Sequence, residues 1–350
     1  MGPPDGLTGA ASCHSVAVTT TEPDDVSVVS TGSLPNRERV TRAMAEAHAR
    51  FAGVDEGHVA DYIPALATAD PSLFGMSVVA VNGDSHDVGD TDHPFSIQSI
   101  SKAFVYALVA QELGHDEVLR RIGVDSTGLP FDSVMALELN GGAPMNPMVN
   151  AGALATTSLV PGATSAAKWE RIVAGLSAFA GRRLEVDEDV YASEAATNRR
   201  NQAIARLLQS YGTIHHDPLE TTDVYTRQCS LLVTAHDLAV MAATLADGGV
   251  NPTTHERVVD AIVCRDVLAA LATSGLYEQS GRWLATIGLP GKSGVSGGII
   301  TVAPGKGGLA TFSPPLDVAG NSVRGRLATE HLSHALGMNI FASAPHPDHA

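Results

Sequence analysis

Two short motifs give this sequence the side chains for nucleophilic catalysis, and the first of them is an S-x-x-K motif. Ser99-Ile100-Ser101-Lys102 stands where a polar loop gives way to an apolar helical pattern. In a helix, Ser99 and Lys102 lie one turn apart on the same face. The positive end of the helix dipole stabilises a developing alkoxide, and a desolvated, neutral lysine can accept the serine proton. For this motif alone, a solvated Ser/Lys pair without a catalytic role is an equal alternative.

The second motif is Lys292-Ser293-Gly294, which precedes an apolar stretch that predicts a strand from Gly298. An S-x-x-K motif on a helix, combined with a K-S/T-G motif at a strand, occurs in serine β-lactamases and penicillin-binding proteins. A glycine-rich turn is the alternative interpretation of the second motif. Both motifs occur here in the required order and on the required elements, so together they favour a serine hydrolase.

Lysine is rare in this sequence, which has 22 basic residues but only four lysines. Two of the four, Lys102 and Lys292, lie in the motifs. Burial can neutralise a lysine, whereas an arginine keeps its charge. A retained lysine therefore marks a position where arginine cannot do the same work. The net charge of −16 disfavours nucleic acid and anionic membranes as partners.

The hydrophobic pattern predicts an α+β fold. Asn36 is positioned to cap a helix from about Arg37 to Phe51, and Asn82-Gly83 is a hairpin signal after a strand. The remaining predicted elements are a strand at 75–81, a mainly helical region at 101–272, a second β region at 298–312 and a helix at 322–336. This order favours an antiparallel sheet flanked by helices, beside a mostly helical subdomain.

Three regions follow from this pattern. We expect a disordered N-terminal tail at 1–36, a catalytic domain at 37–338 and a frayed C-terminal tail at 339–350. Within the domain, the α/β part covers about 37–98 and 285–338, and the helical part covers about 99–284.

Eight sequence blocks, taken in order, resemble the serine-dependent glutaminase family over roughly residues 37–338. They are DYIPALA (61–67), FSIQSISKAF (95–104), NPMVNAGAL (146–154), SEAATNRRNQAIA (193–205), YTRQCSLLVTAHDLA (225–239), GLYEQSGRW (275–283), GLPGKSGVSGG (288–298) and FSPPLDVAGNSVRG (312–325). The resemblance implies a serine β-lactamase/DD-peptidase-like fold and hydrolysis of L-glutamine to glutamate and ammonia, without a cofactor. It also implies a homo-oligomer, either a dimer or a tetramer.

The resemblance further implies roles for individual residues. Ser99 matches the acylated nucleophile, Lys102 its partner base and Lys292-Ser293-Gly294 the supporting motif. The backbone N–H of Val295 matches a donor that forms an oxyanion hole with the N–H of Ser99. The residues that match the glutamine-binding set, with a site-lining tyrosine at its start, are Tyr62, Gln98, Asn150, Glu194, Asn201, Tyr225 and Tyr277.

The chemistry of a free amino acid agrees with these roles. Glu194 can pair with the substrate ammonium, while Asn150, Asn201 and a tyrosine hydroxyl can hydrogen-bond the carboxylate. The departing ammonia needs a proton, which Tyr277 or Lys102 can supply.

Structural interpretations stay open for several of these positions. Asn150 could be a turn residue or a helix cap, Glu194 an acid at a helix start, and Tyr62 and Tyr225 core residues. Three positions depart from the usual family pattern without removing a catalytic group, and Ser296, which adjoins the oxyanion-hole position, is one of them; the others are Ser274 and Asp132.

Two other functions stay open on the sequence alone. A β-lactam or peptidoglycan-type serine hydrolase of the same fold shares both motifs, but the sequence lacks an S-D-N tripeptide. A non-catalytic amino-acid sensor would not need Ser99, Lys102 and Lys292 together. Hydrolysis of a chromogenic β-lactam would indicate the first alternative, and glutamine binding without turnover would indicate the second.

Cysteine usage and the N-terminal composition predict a cytoplasmic protein. Cys13, Cys229 and Cys264 form no CxxC motif, which is typical of reduced thiols. The first basic residue is Arg37 and no long apolar run precedes it, so neither a secretory signal nor a membrane span is indicated. The 14 histidines lack an HExxH or comparable set, so we expect no metal.

We predict that a chain beginning at Asn36 keeps the activity and melting temperature of the full chain, because residues 1–36 contain few large apolar side chains. Thermal melts and ammonia-release assays on both chains check this. A large drop in either quantity would mean that the tail docks on the domain.

Overall fold

The computed structural model describes residue 2 and residues 32–343. Most of the predicted N-terminal tail, and residues 344–350 of the predicted frayed end, lie outside the described residues. In the described part, seven strands form two sheets: β1 (Gly75–Ala80), β2 (Ser85–Gly89), β3 (Phe95–Ser96), β4 (Leu232–Val233), β5 (Gly291–Ser293), β6 (Gly298–Ala303) and β7 (Gly307–Phe312).

Most of the chain between β3 and β5 is helical, as predicted. None of the helices in residues 32–343 is both long and apolar enough to cross a lipid bilayer. The helices are α1 (Arg37–Phe51), α2 (Ser101–Leu113), α3 (His115–Ile122), α4 (Val134–Leu139), α5 (Asn150–Leu159), α6 (Ser165–Ala180), α7 (Glu188–Thr197), α8 (Arg199–Ser210), α9 (Pro218–Cys229), α10 (Ala235–Ala246), α11 (Ala261–Ser274), α12 (Ser280–Thr286) and α13 (Val323–Ala335).

The larger sheet contains five strands in the order β2-β1-β7-β6-β5, and each neighbouring pair is antiparallel. Its two faces bury different apolar clusters because side chains alternate along each strand. On β6, Ile299 packs into the cluster formed with α1 and α13, whereas Ile300 packs into the cluster that contains α10. Leu309 and Ala310 of β7 alternate in the same way. Helices therefore cover both faces, which confirms the predicted α+β class.

Helix α1 has the predicted bounds and the predicted cap. The side chain of Asn36 accepts a hydrogen bond from the backbone N–H of Arg39 at 3.0 Å, which satisfies one of the free donors at the helix start. Leu34, which precedes this cap and lies in the predicted tail, is partly buried against the cluster of α1 and α13. Truncation at Asn36 therefore removes one apolar contact.

Helix α10 connects the two parts of the domain. It lies within 99–284, the segment predicted as the helical part, yet it packs directly on β1, β6 and β7. The approach is close because Gly308 of β7 has no side chain. A Cβ atom at this position would lie 2.4 Å from the backbone oxygen of Ala239 and 2.4 Å from the backbone nitrogen of Ala243. The sheet and the helical region therefore share one close-packed contact.

We predict that Gly308→Ala lowers the free energy of unfolding by about 1–3 kcal/mol or more, because the added methyl group must displace the backbone of α10. The matched control is Gly281→Ala in α12, where a Cβ meets nothing within 4 Å. Since alanine is the better helix former, the control should keep or raise stability by up to about 1 kcal/mol. Urea unfolding measures both, and equal stability of the two variants would contradict this packing.

Candidate active site

The candidate nucleophile lies at a tight turn between a strand and a helix. After β3, the backbone N–H of Ile97 donates to the carbonyl of Leu231 at 2.8 Å, and a 3-10 turn at Gln98–Ile100 leads into α2. Gln98 has a φ angle of 50°, which is rare for a residue with a side chain. Ser99 is thereby half-buried at the start of the helical run, as the S-x-x-K pattern predicts.

The second motif lies on an edge strand of the larger sheet. Lys292 and Ser293 belong to β5, and a turn at 294–297 follows, closed by the backbone N–H of Gly297 donating to the carbonyl of Gly294 at 3.0 Å. The turn packs against the nucleophile segment. A Cβ atom on Gly294 would lie 2.9 Å from the carbonyl oxygen of Ile97. Glycine at this position therefore permits the two motifs to meet.

Two backbone N–H groups beside this contact have no partner. In the described part of the chain, the N–H of Ser99 and the N–H of Val295 meet no hydrogen-bond acceptor. Both residues are half-buried, and a backbone N–H that has no partner in the protein is left to bind solvent or a ligand. A pair of free donors at the point where both motifs meet is suited to binding a negatively charged oxygen.

Lys102 is 1% exposed and is held by two oxygen acceptors. Its Nζ donates to the carbonyl of Met148 at 3.1 Å and to Oδ1 of Asn150 at 2.7 Å. Nδ2 of Asn150 in turn donates to Oδ1 of Asn201 at 2.9 Å. Burial lowers the pKa of Lys102 to about 8. Within the described residues the predicted base, Lys102, makes no hydrogen bond to the predicted nucleophile, Ser99.

Tyr277 connects the nucleophile to the second buried lysine. Its hydroxyl accepts a hydrogen bond from Nζ of Lys292 at 3.0 Å, and the nearby Ser99 partly offsets the rise that burial causes in the pKa of Tyr277. Lys292 is 0% exposed and also donates to the carbonyl of Ser293 at 2.8 Å. Burial, and then the charge of Lys102, hold the pKa of Lys292 well below its usual value. Lys292 and Tyr277 thus form a hydrogen-bonded pair, close to Ser99, along which a proton can move.

Glu194 presents a buried carboxylate oxygen without a partner. Its Oε2 meets no donor, and the side chain is 9% exposed. Burial raises the pKa of Glu194 to about 7, although contacts with Gln98 and Lys102 act in the opposite direction. A buried, unpaired carboxylate is costly unless a cation binds it. The residue is therefore suited to an ammonium group.

A cavity of about 310 Å³ is lined by four of the predicted binding residues, namely Tyr62, Asn150, Glu194 and Asn201. Its lining residues are Tyr62, Ile63, Phe131, Asp132, Asn150, Glu194, Thr197, Asn198, Arg200 and Asn201. A second cavity of about 780 Å³ is lined in part by Val295. Tyr62 and Phe131 line both cavities. Tyr62 is 57% exposed, so it is not a core residue.

Tyr225 and Gln98, the other two buried members of the predicted binding set, lie beside Lys102 and Ser96, respectively. Tyr225 is buried, and the Nζ of Lys102 lies 5.9 Å from the centre of its ring. Gln98 is buried, and its Nε2 donates to Oγ of Ser96 at 3.2 Å. The fold thus brings the residues predicted from both motifs and from the binding set into one region.

Three residues of this region, Phe131, Cys229 and Met148, were not predicted from the sequence. Phe131 lies with its ring 5.0 Å from that of Tyr277, and Cys229 is buried with its Sγ 3.8 Å from Oγ of Ser101. Met148 contributes only its backbone carbonyl, which no side-chain pattern reveals. Cys229 lies in one of the blocks that resemble the family, YTRQCSLLVTAHDLA, at a position that could have indicated a place in the site. Within residues 32–343, no group of three or more His, Cys, Asp or Glu side chains could hold a metal.

Comparisons with known proteins point to one family. The profile of the family described as Glutaminase matches residues 57–341. Glutaminase 2 of Yersinia pestis is 54% identical over 92% of this chain and 95% of its own, and a glutaminase of Brucella canis is 50% identical over 87% and 96%. Among solved structures, the probable glutaminase ybaS superposes with a TM-score of 0.87 at 45% identity, covering 88% of this chain and all of that one. A structure of Mglu in its glutamate form has a TM-score of 0.83 at 40% identity, covering 89% and 72%. The chain belongs to the glutaminase family.

Proposed function

We propose that Ser99 is the nucleophile with which this glutaminase hydrolyses the side-chain amide of L-glutamine to L-glutamate and ammonia. The observation that carries this assignment is the pair of free N–H groups, on Ser99 and Val295, beside a serine at a helix start. The Ser99 Oγ attacks the amide carbon, and the two N–H groups stabilise the oxyanion of the tetrahedral intermediate. Each such donor typically contributes about 10²–10³ in rate.

Proton transfer in this proposal passes through Tyr277. As Ser99 attacks, its proton moves to the Tyr277 oxygen while the Tyr277 proton moves to a neutral Lys292. The same chain then returns a proton to the departing nitrogen, which leaves as ammonia and gives the Ser99 ester. Water, deprotonated along the same chain, attacks the ester, and the proton returned to Ser99 releases L-glutamate. The hydrogen bond of Lys292 to Tyr277 and the lowered pKa of Lys292 support this chain.

The hypothesis from the sequence made Lys102 the base, and the contacts favour another role. Both partners of Lys102, the carbonyl of Met148 and Oδ1 of Asn150, are acceptors, which stabilise the ammonium form. Burial, and then the charge of Lys102, lower the pKa of the neighbouring Lys292, which favours its neutral form. We therefore propose that Lys102 acts electrostatically and Lys292, through Tyr277, as the base.

We propose that each charged group of the glutamine zwitterion binds to its own set of side chains. Glu194 receives the ammonium at its unpartnered oxygen. Asn150 and Asn201 in the cavity wall receive the carboxylate, with Tyr62 at the entrance. Gln98 and Tyr225 complete the set, with Gln98 in contact with Glu194.

Location and assembly also belong to the proposal. The cytoplasmic location expected from the sequence is supported by free thiols at Cys229 and Cys264, both buried. The expected homo-oligomer, a dimer or tetramer, is supported by Met135 and Leu139, which expose apolar side chains one turn apart on α4. Light scattering on the purified chain measures the oligomeric state.

We predict that Ser99→Ala lowers kcat for L-glutamine by several orders of magnitude while L-glutamate still binds, because only the attacking oxygen is removed. A glutamine-like diazo ketone should modify Ser99 in the wild type, as located by peptide mass spectrometry. Modification of Ser101 or Ser293 instead would contradict the assignment.

We predict that kcat/KM falls as the pH is lowered through about 7, because Glu194 becomes neutral below that pKa and loses its attraction for the substrate ammonium. Glu194→Gln should cost about 2–5 kcal/mol in kcat/KM and remove this acidic limb. The matched control is Glu188→Gln, an exposed position on the same helix, which should retain the wild-type profile. An unchanged limb in Glu194→Gln would assign the titration to another group.

A further inference from the structure

One hydrogen bond links the two chain segments that carry the free N–H groups. Oγ of Ser296 donates to the backbone carbonyl of Ser96 at 2.6 Å, and Ser296 is 7% exposed. Both segments, 95–102 and 291–298, are fully described, and no other hydrogen bond joins them. Their remaining contact is steric. Rotation of one segment against the other is therefore opposed by this single directional bond.

The bond lies close to both donors along the chain. Ser296 directly follows Val295 in the turn at 294–297, and Ser96 lies three residues before Ser99. A tilt of the turn away from the nucleophile segment would move the Val295 N–H away from the Ser99 N–H. The hydrogen bond from Ser296 to the Ser96 carbonyl opposes this tilt, because it holds the turn to the nucleophile segment.

Ser96 serves as a common support for both sides of the site. Its carbonyl accepts the Ser296 bond, and its hydroxyl accepts a hydrogen bond from Gln98 at 3.2 Å. Gln98 holds a φ angle of 50°, so its conformation depends on such contacts. Gln98 also contacts Glu194. Movement at Ser96 would therefore disturb the orientation of the nucleophile turn.

We infer that Ser296 is a positioning residue that sets the spacing between the two oxyanion donors during glutamine hydrolysis. This inference rests on the proposed oxyanion hole at Ser99 and Val295. Ser296 acts through Val295 on a charge that exists only in the tetrahedral intermediate and its transition states. Its removal therefore affects kcat far more than the affinity for the ground state.

The test is Ser296→Ala, which deletes the hydroxyl. We expect kcat for L-glutamine to fall about tenfold, less than the 10²–10³ expected for the loss of a whole donor. KM for L-glutamine should stay within about twofold, since the negative charge that the two donors stabilise develops only in the tetrahedral intermediate and its transition states. Ser296→Thr keeps the hydroxyl and should retain more kcat than the alanine variant.

The matched control is Ser333→Ala in α13. Oγ of Ser333 also donates to a backbone carbonyl, that of Ile287, at 2.6 Å, and the side chain is 0% exposed. Both alanine variants should lower the melting temperature, but only Ser296→Ala should lower kcat. If Ser333→Ala lowers kcat equally, the loss reflects general destabilisation and the inference is wrong.

Two further outcomes separate the inference from the proposed function. Wild-type kcat in Ser296→Ala, or a loss of kcat/KM that comes from a higher KM for L-glutamine, would overturn the positioning role alone. Retention of activity in Ser99→Ala would overturn the proposed function itself. If the threonine variant does not fold, the comparison of Ser296→Ala with Ser333→Ala decides the inference.

Discussion

The protein interior around Ser99 holds two lysines that cannot both be charged at low cost. Lys102 and Lys292 are 1% and 0% exposed, and their Nζ atoms lie 5.7 and 4.1 Å from the centre of the Tyr277 ring. Desolvation and mutual repulsion both disfavour the second charge. Their partners decide which lysine keeps its proton. Lys102 meets only acceptors, whereas Lys292 meets one carbonyl, that of Ser293, and a hydroxyl that can donate as well as accept. In the proposed mechanism the charge therefore resides on Lys102, and Lys292 is the neutral base.

The site depends on backbone conformations with positive φ angles, which residues with side chains rarely adopt. Three residues with side chains have positive φ in the described part of the chain, and two of them, Gln98 and Tyr277, are in the site. Each such conformation costs on the order of 1–3 kcal/mol and persists only where the surroundings fix it. The surroundings of Gln98 are strands β5 and β6 and helices α2 and α9, which pack against its 3-10 turn. The ring of Tyr277 lies 5.0 Å from that of Phe131, and its hydroxyl is bonded to Lys292. Packing and hydrogen bonds within the site thus fix these conformations.

The sequence predicted what depends on local pattern. Helix α1 could be placed because Asn36 caps an amphipathic repeat, and β6 and β7 because a glycine-rich turn separates two apolar runs. What it missed depends on contacts between distant residues. The spacing of residue types along the chain does not show that α10 packs against the sheet. Nor does it show that the carbonyl of Met148 accepts a hydrogen bond from Lys102. The motifs named both lysines as important, but only their partners distinguish the charged one from the neutral one.

The most direct test of this account is the titration of the lysines by NMR. The chain has four lysines, so labelling with [ε-¹³C]lysine gives four signals, which single substitutions assign. The account predicts that Lys102 is an ammonium at neutral pH and titrates at a pKa of about 8, while Lys292 is already a neutral amine. An ammonium signal from Lys292 at neutral pH, or a neutral Lys102 beside it, would contradict the account.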